Sequence, residues 1–294
     1  MIEKKFIDPN LKNKSKTVED KIQLIKVGDN LFPLPTEVEI SESGTCNRKC
    51  SFCPRSDPNF VDKKEFISNS LHEKLCLELK ELNYKGTIRY SGFVEPLIDK
   101  NIFNLIKMSR SFLPNSNLEL VTNGDPLNAK RLKKLFDNGL NKLLISVYDG
   151  EEDAIKFENL CKDVGLKDEH YIIRKRYLSE DEDFGITLSN RAGLMDNAEF
   201  KIKPLEKSLN NPCFIPSYTF FLDYQGDVLM CPHDWGKKAI LGNFRNESLK
   251  DIWFSKKAMR FRQMLNNSNR NFKPCNVCDV DGTFMGQKNS QYFN

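Results

Sequence analysis

No apolar run in this chain approaches the ~18 residues that a membrane-spanning helix needs. The start, Met1-Ile2-Glu3-Lys4-Lys5, lacks the apolar stretch of a secretory signal. Together these absences point to a protein that stays in the cytosol and away from membranes. Charge of one sign is also lacking: 45 basic residues stand against 41 acidic ones, a net +4. A dedicated nucleic-acid binder carries a basic surplus, so that class finds little support. Neither an internal repeat nor a low-complexity tract is evident. The 294 residues, 39% of them hydrophobic, suffice for one large domain, or for a large one with a small one.

Nine cysteines remain to be explained. In a reducing compartment they are thiols or thiolates rather than a disulfide framework, and an odd count suits metal ligation better than pairing. Cys76 and Cys161 fall on or beside apolar helix stripes and read as small buried hydrophobes. The other seven form two sets.

Residues 1–35 are polar and rich in Lys and Asn, and read as an extension leading into the fold. Over 36–205 strands alternate with helices. Val38 and Ile40 alternate with Glu37, Glu39 and Ser41 as in a strand. Leu71, Leu75, Leu79 and Leu82 recur at helical spacing before Gly86. Further strands are predicted over Thr87–Gly92, Leu118–Thr122, Leu143–Tyr148 and Tyr171–Leu178, and a last one over Phe184–Ser189. Strands separated by helices imply parallel pairing and right-handed crossovers. The expected fold is α/β, a partial (β/α)6 barrel whose chemistry sits at the carboxyl ends of its strands. Residues 206–294 change texture. A β-hairpin is predicted around Asp223-Tyr224-Gln225-Gly226-Asp227, then a helix capped by Ser248 and bearing Leu249, Ile252, Trp253 and Met264. This is expected to be a small C-terminal hairpin-and-helix domain that binds a cluster.

The first set is Cys46-Asn47-Arg48-Lys49-Cys50-Ser51-Phe52-Cys53. Three thiolates within eight residues wrap one metal cluster and leave a fourth position open for a small molecule. Zinc sites pair Cys-x2-Cys with a second pair or with His, and no His lies near this loop. The spacing Cys-x3-Cys-x2-Cys, with Phe52 before the third cysteine, resembles the signature of the radical S-adenosylmethionine (SAM) superfamily. The resemblance implies a [4Fe–4S] cluster whose open iron chelates SAM. Reductive cleavage then yields a 5′-deoxyadenosyl radical that abstracts hydrogen from substrate. It also implies cofactor contacts from Gly92 and Glu95 along the methionine amino group, with Val94 where a second glycine is usual. Thr122, Asn123 and Ser146 would reach the ribose, and Arg174 the carboxylate.

The second set is Cys213, Cys231, Cys275 and Cys278. Four thiolates suit a closed cluster or a structural zinc, and spacing alone does not choose. Cys-x12-Gly-x4-Cys followed by Cys-x2-Cys resembles the SPASM/twitch auxiliary-cluster region. With no cysteine after Cys278, it is the shorter twitch type with one extra [4Fe–4S] cluster. The family then implies two-electron oxidation of a hydroxyl in a sugar or aminocyclitol, fed by an electron donor such as flavodoxin or ferredoxin. Two rival readings are a peptide- or protein-modifying maturase and an electron-transfer protein that holds two clusters without chemistry. His233 and Asp234, directly after Cys231, are the candidate bases. Arg176, Asn190 and Arg191 are candidate substrate contacts at the barrel mouth.

Overall fold

The computed structural model describes residues 7–179, 182–183, 185–186 and 188–293. The amino-terminal Met1–Lys5 stretch lies outside them. Among the described residues no helix is long and apolar enough to cross a membrane.

The chain opens with helix α1 (Pro9–Asp20) and a hairpin of β1 (Leu24–Val27) and β2 (Asn30–Pro33). Strand β3 (Glu37–Ser41) leads into the first cysteine loop, which the short antiparallel strands β4 (Ser43–Gly44) and β5 (Lys63–Phe66) bracket. Then follow α2 (Asn69–Glu81), β6 (Thr87–Tyr90), α3 (Ile102–Phe112), β7 (Asn117–Thr122), α4 (Ala129–Asp137), β8 (Lys142–Val147), α5 (Glu151–Asp163) and β9 (Tyr171–Lys175). The last part holds β10 (Thr219–Asp223), β11 (Asp227–Leu229), β12 (Ile240–Asn243), α6 (Leu249–Trp253), α7 (Lys256–Asn266) and α8 (Gln287–Ser290).

One sheet of eight strands organises the molecule, in the order β12-β11-β10-β3-β6-β7-β8-β9. From β10 to β9 all neighbours are parallel, and β11 and β12 continue antiparallel. The expected α/β class with a largely parallel sheet is therefore the class found. Its sixth parallel strand differs from expectation. It is β10, arriving on the far side of β3, so the C-terminal hairpin extends the main sheet. Of the Phe184–Ser189 strand, Phe184 and Thr187 lie outside the described residues, and the rest is not extended pairing. The chain there turns towards the C-terminal cysteines, because Asp279 takes the Asn190 amide (2.7 Å) and the Ser189 hydroxyl (3.1 Å).

Strand parity divides the sheet into two faces. Val38, Ile40, Ile88, Tyr90, Leu118, Leu120, Leu143 and Ile145 join one core with the inner stripes of the helices. The α2 stripe is Leu71, Leu75 and Leu79, and the Ser68 hydroxyl caps that helix at the Leu71 amide. The opposite parity carries, beside Val121 and Leu144, a set of buried polar side chains: Glu37, Glu39, Arg89, Glu119, Ser146 and Arg174. Arg89 bridges Glu37 (2.9 Å) and Glu119 (2.8 Å), and Lys14 of α1 reaches Glu37 at 2.5 Å.

The single helix expected from Ser248 onward is two. It breaks after Trp253, and Ser255 caps the second at the Ala258 amide. Arg262 stacks 3.8 Å above the Trp253 ring and donates to the Pro216 and Trp253 carbonyls, which locks the two helices under the sheet.

Candidate functional site

The carboxyl ends of the parallel strands surround a cavity of about 350 Å³. Cys46, Cys50, Cys53 and Phe52 form one wall, and Pro232 and His233 line it from the second cysteine set. Arg48 anchors the first cysteine loop. Its guanidinium holds Asp125 (2.7 Å from Nε) beyond β7 and Asp149 (3.0 Å from Nη1) beyond β8. Neither carboxylate was anticipated. The Asn123-Gly124-Asp125 and Asp149-Gly150 strand ends were the available signal. Phe52 packs on Tyr148 with ring centres 5.3 Å apart.

Gly92, Glu95, Thr122, Asn123, Ser146 and Arg174 all line the cavity, as the resemblance implies. Gly92 has φ +104°, and a Cβ there would meet the Phe221 ring at 2.9 Å. Glu95 accepts from the Thr122 hydroxyl (2.6 Å) and from the Asn123 and Leu97 amides (2.7 and 3.0 Å), so it ties the loop after β6 to the end of β7. Burial pushes its carboxyl up to about 7 against those hydrogen bonds. Ser146 accepts from Arg174 at 3.0 Å.

The other candidates separate. Arg176, Arg191 and His233 face the cavity. The Arg191 Nε is buried and has no hydrogen-bond partner, and the residue holds φ +49°. His233 is held down at about 3 by burial, with Arg191 and Lys14 adding to it, so its ring is neutral. Asp234 does not face the cavity. Its two oxygens take the Lys238 and Ala239 amides at 2.9 and 2.7 Å, so it caps a turn and is not a base. Asn190 is corrected likewise. It is fully buried, and its amide bonds the Val277 carbonyl (2.7 Å) and the Lys203 carbonyl (3.1 Å), making it a strut to the cysteine knuckle.

The seven cysteines of the two sets are in no disulfide, and among the described residues no three His, Cys, Asp or Glu side chains are already gathered as a metal-ion site. Backbone amides two residues on point at sulfur: Arg48 at Cys46 (3.4 Å), His233 at Cys231 (3.4 Å) and Val280 at Cys278 (3.5 Å). Burial pushes the Cys50 thiol up to about 11, with Cys53 and Cys46 adding repulsion. Burial also raises Cys231 well above its ordinary value, and Cys213, Cys278 and Cys275 add to it. A bound cluster would supply the positive charge that ionises them. Gly282 makes room for the second set: at φ +77° its missing Cβ would lie 2.3 Å from the Cys213 sulfur. Gly282→Ala is expected to cut iron to roughly half of about eight per chain, while SAM cleavage persists. Iron and sulfide analysis checks this.

A parallel sheet with a three-cysteine loop at one strand end and a second cysteine set across a cavity defines an iron–sulfur enzyme. The family model of the radical SAM superfamily matches residues 40–199, more than half of the chain, and that of the iron–sulfur cluster-binding SPASM domain matches 213–279. The chain belongs to the radical SAM superfamily. Its radical SAM domain binds a [4Fe–4S] cluster and SAM, and its SPASM domain binds a further iron–sulfur cluster. A similar protein is the S-adenosyl-L-methionine-dependent 2-deoxy-scyllo-inosamine dehydrogenase of Niallia circulans, 29% identical over 86% of this chain and 96% of the relative. The crystal structure of BtrN in complex with AdoMet and 2-DOIA superposes with a TM-score of 0.71, at 27% identity over 85% of this chain and 94% of that one. The structure of anSMEcpe with bound AdoMet and Cp18Cys peptide shares the fold, with a TM-score of 0.54 and 14% identity over 88% of this chain and 96% of that one.

Proposed function

We propose that this chain oxidises a secondary hydroxyl of a small cyclic substrate, an aminocyclitol or sugar, to a ketone. The observation that carries the reading is the cavity itself, walled by Cys46, Cys50 and Cys53 on one side and by the residues after Cys231 on the other. A substrate there lies between two redox centres. The name of the Niallia circulans relative, a dehydrogenase of 2-deoxy-scyllo-inosamine, supports the substrate class.

Cys46, Cys50 and Cys53 would hold the first cluster, and Cys213, Cys231, Cys275 and Cys278 the second. When bound, the first supplies an electron to SAM and the second accepts one from the substrate. The chain's own groups position the reactants. Thr122, Asn123 and Ser146 would meet the ribose, Arg174 the carboxylate, and Gly92 with Glu95 the methionine amino group. Arg191 and His233 line the cavity side by side, so these two are the groups that would meet a substrate hydroxyl and its departing proton. An electron donor such as flavodoxin or ferredoxin would supply the reducing electron, and a cytosolic setting keeps the thiols reduced.

The test is anaerobic incubation of the holoenzyme with SAM, a reductant and 2-deoxy-scyllo-inosamine or related cyclitols. The expected product is lighter than its substrate by two hydrogens and accompanied by equal 5′-deoxyadenosine. Cys275→Ala is expected to keep 5′-deoxyadenosine formation while ketone falls by roughly 100-fold. A modified peptide as product, with no cyclitol or sugar oxidised, would sink the proposal.

A further inference from the structure

We propose that helix α1 is part of the active site, with Asp8 as a positioning residue that holds Arg174 and Arg176 against the cavity. This rests on the reading of the cavity as the place where SAM and substrate meet. The match to the radical SAM family model begins at residue 40, so the family does not account for α1. Yet Asp8, Asn10, Leu11 and Lys14 all line the cavity.

The sequence of α1, Pro-Asn-Leu-Lys-Asn-Lys-Ser-Lys-Thr-Val-Glu-Asp, buries one apolar side chain, Val18. Burial of that size does not dock a helix. Polar side chains dock it instead. Asn10 accepts from Arg89 at 3.0 Å, Asn13 donates to Glu119 at 3.1 Å and accepts from Lys142 at 2.8 Å, and Lys14 pairs with Glu37. At the other end Glu19 takes the Gly286 amide at 2.7 Å. The helix is thus clamped between the barrel interior and the C-terminal segment.

Asp8 occupies the N-cap of this helix, and Oδ1 takes the Asn10 amide at 2.8 Å. The same carboxylate accepts from Arg174 Nε at 3.1 Å and Nη2 at 2.6 Å, and from Arg176 Nη2 at 3.0 Å. All three residues are buried. These four hydrogen bonds occupy both oxygens, so Asp8 acts through the arginines rather than on a ligand. The paired bonds fix the plane of the Arg174 guanidinium and leave Nη1 on Ser146. Two buried guanidiniums this close would repel without a carboxylate between them. Asp8 therefore sets where Arg174 meets a SAM carboxylate, and the cap couples that geometry to the docking of α1.

Asp8→Asn in the reconstituted full-length enzyme tests this. The expected result is a KM for SAM raised about 10- to 100-fold, with iron content unchanged and kcat nearly so. Asp8→Glu, which keeps the charge, should recover part of the loss. Lys16→Ala, on the exposed side of the helix, should behave as wild type. KM and kcat within about twofold of wild type in D8N would overturn the proposal. So would a variant with a lowered melting point and less iron whose folded fraction keeps the wild-type KM, since the role would then be structural only. A wild-type enzyme that does not bind SAM overturns this proposal together with the reading of the cavity, whereas equal binding by wild type and D8N overturns this one alone.

Discussion

Cys50→Ala is expected to form no 5′-deoxyadenosine above background and to carry about four irons per chain in place of about eight. Cys50 sits mid-loop, half-buried, with Cys46 and Cys53 near enough that their charges act on it. Removing it leaves two thiolates on a loop that Arg48 still fastens to Asp125 and Asp149. Two ligands do not hold a cubane that already has one open iron. The fold should survive, since the cysteine loop projects from the end of β3 and the core lies on the other face of the sheet. The comparison variants are Cys76→Ala and Cys161→Ala. Both thiols are buried on the inner faces of α2 and α5. Their loss removes one small apolar group each, about 1 kcal/mol of stability, and should leave iron and SAM cleavage unchanged. Iron and sulfide counts with chromatography of the nucleoside product check all three. Full iron and normal cleavage in C50A would show that the loop does not hold the cluster.

The parallel sheet and the first cysteine loop were legible because their signals are local. Val38 and Ile40 alternate with Glu37 and Glu39, and three cysteines stand within eight residues of one another. Helix α3 carries a clear apolar stripe, Ile102, Phe103, Leu105 and Ile106, and went unread only because a short Pro96–Ile98 turn intervenes after β6. Helix α1 is a different case. Its docking rests on charges whose partners lie far along the chain, from Glu37 through Arg174 to Gly286, and no window along the chain contains both halves of those pairs. Asp234 and Asn190 looked functional from their neighbours in sequence. The Asn190 side chain is consumed by the Lys203 and Val277 carbonyls, which only the fold brings near, whereas Asp234 is consumed by a local turn, the Lys238 and Ala239 amides four and five residues on. The placement of β10 beside β3 was likewise illegible, because nothing local says on which edge a strand docks.

Glu37, Glu39 and Glu119 are buried together on the polar face of the sheet, and this yields the second large effect. Arg89→Met is expected to destabilise the protein by about 3–5 kcal/mol, a large share of a typical folding free energy. The guanidinium is buried, with Glu37 at 2.9 Å and Glu119 at 2.8 Å, and it also donates to Asn10 of α1. Burial pushes the Glu37 carboxyl up, but Arg89 and Lys14 outweigh that and hold it below its ordinary value. Methionine fills similar volume and offers no charge, so Glu119 loses its ion pair and Glu37 keeps only Lys14. The remaining carboxylates must then protonate or repel, and α1 loses one of its anchors. A lower midpoint in urea, with the slope unchanged, is the expected readout. The triple variant Arg89→Met with Glu37→Gln and Glu119→Gln should regain most of the loss, because it removes the stranded charges rather than one partner alone. Failure of the triple to recover would mean that Arg89 contributes through packing and its bond to Asn10, not through the ion pairs. Unaltered stability in the single variant would mean that water reaches the barrel floor and already screens these carboxylates.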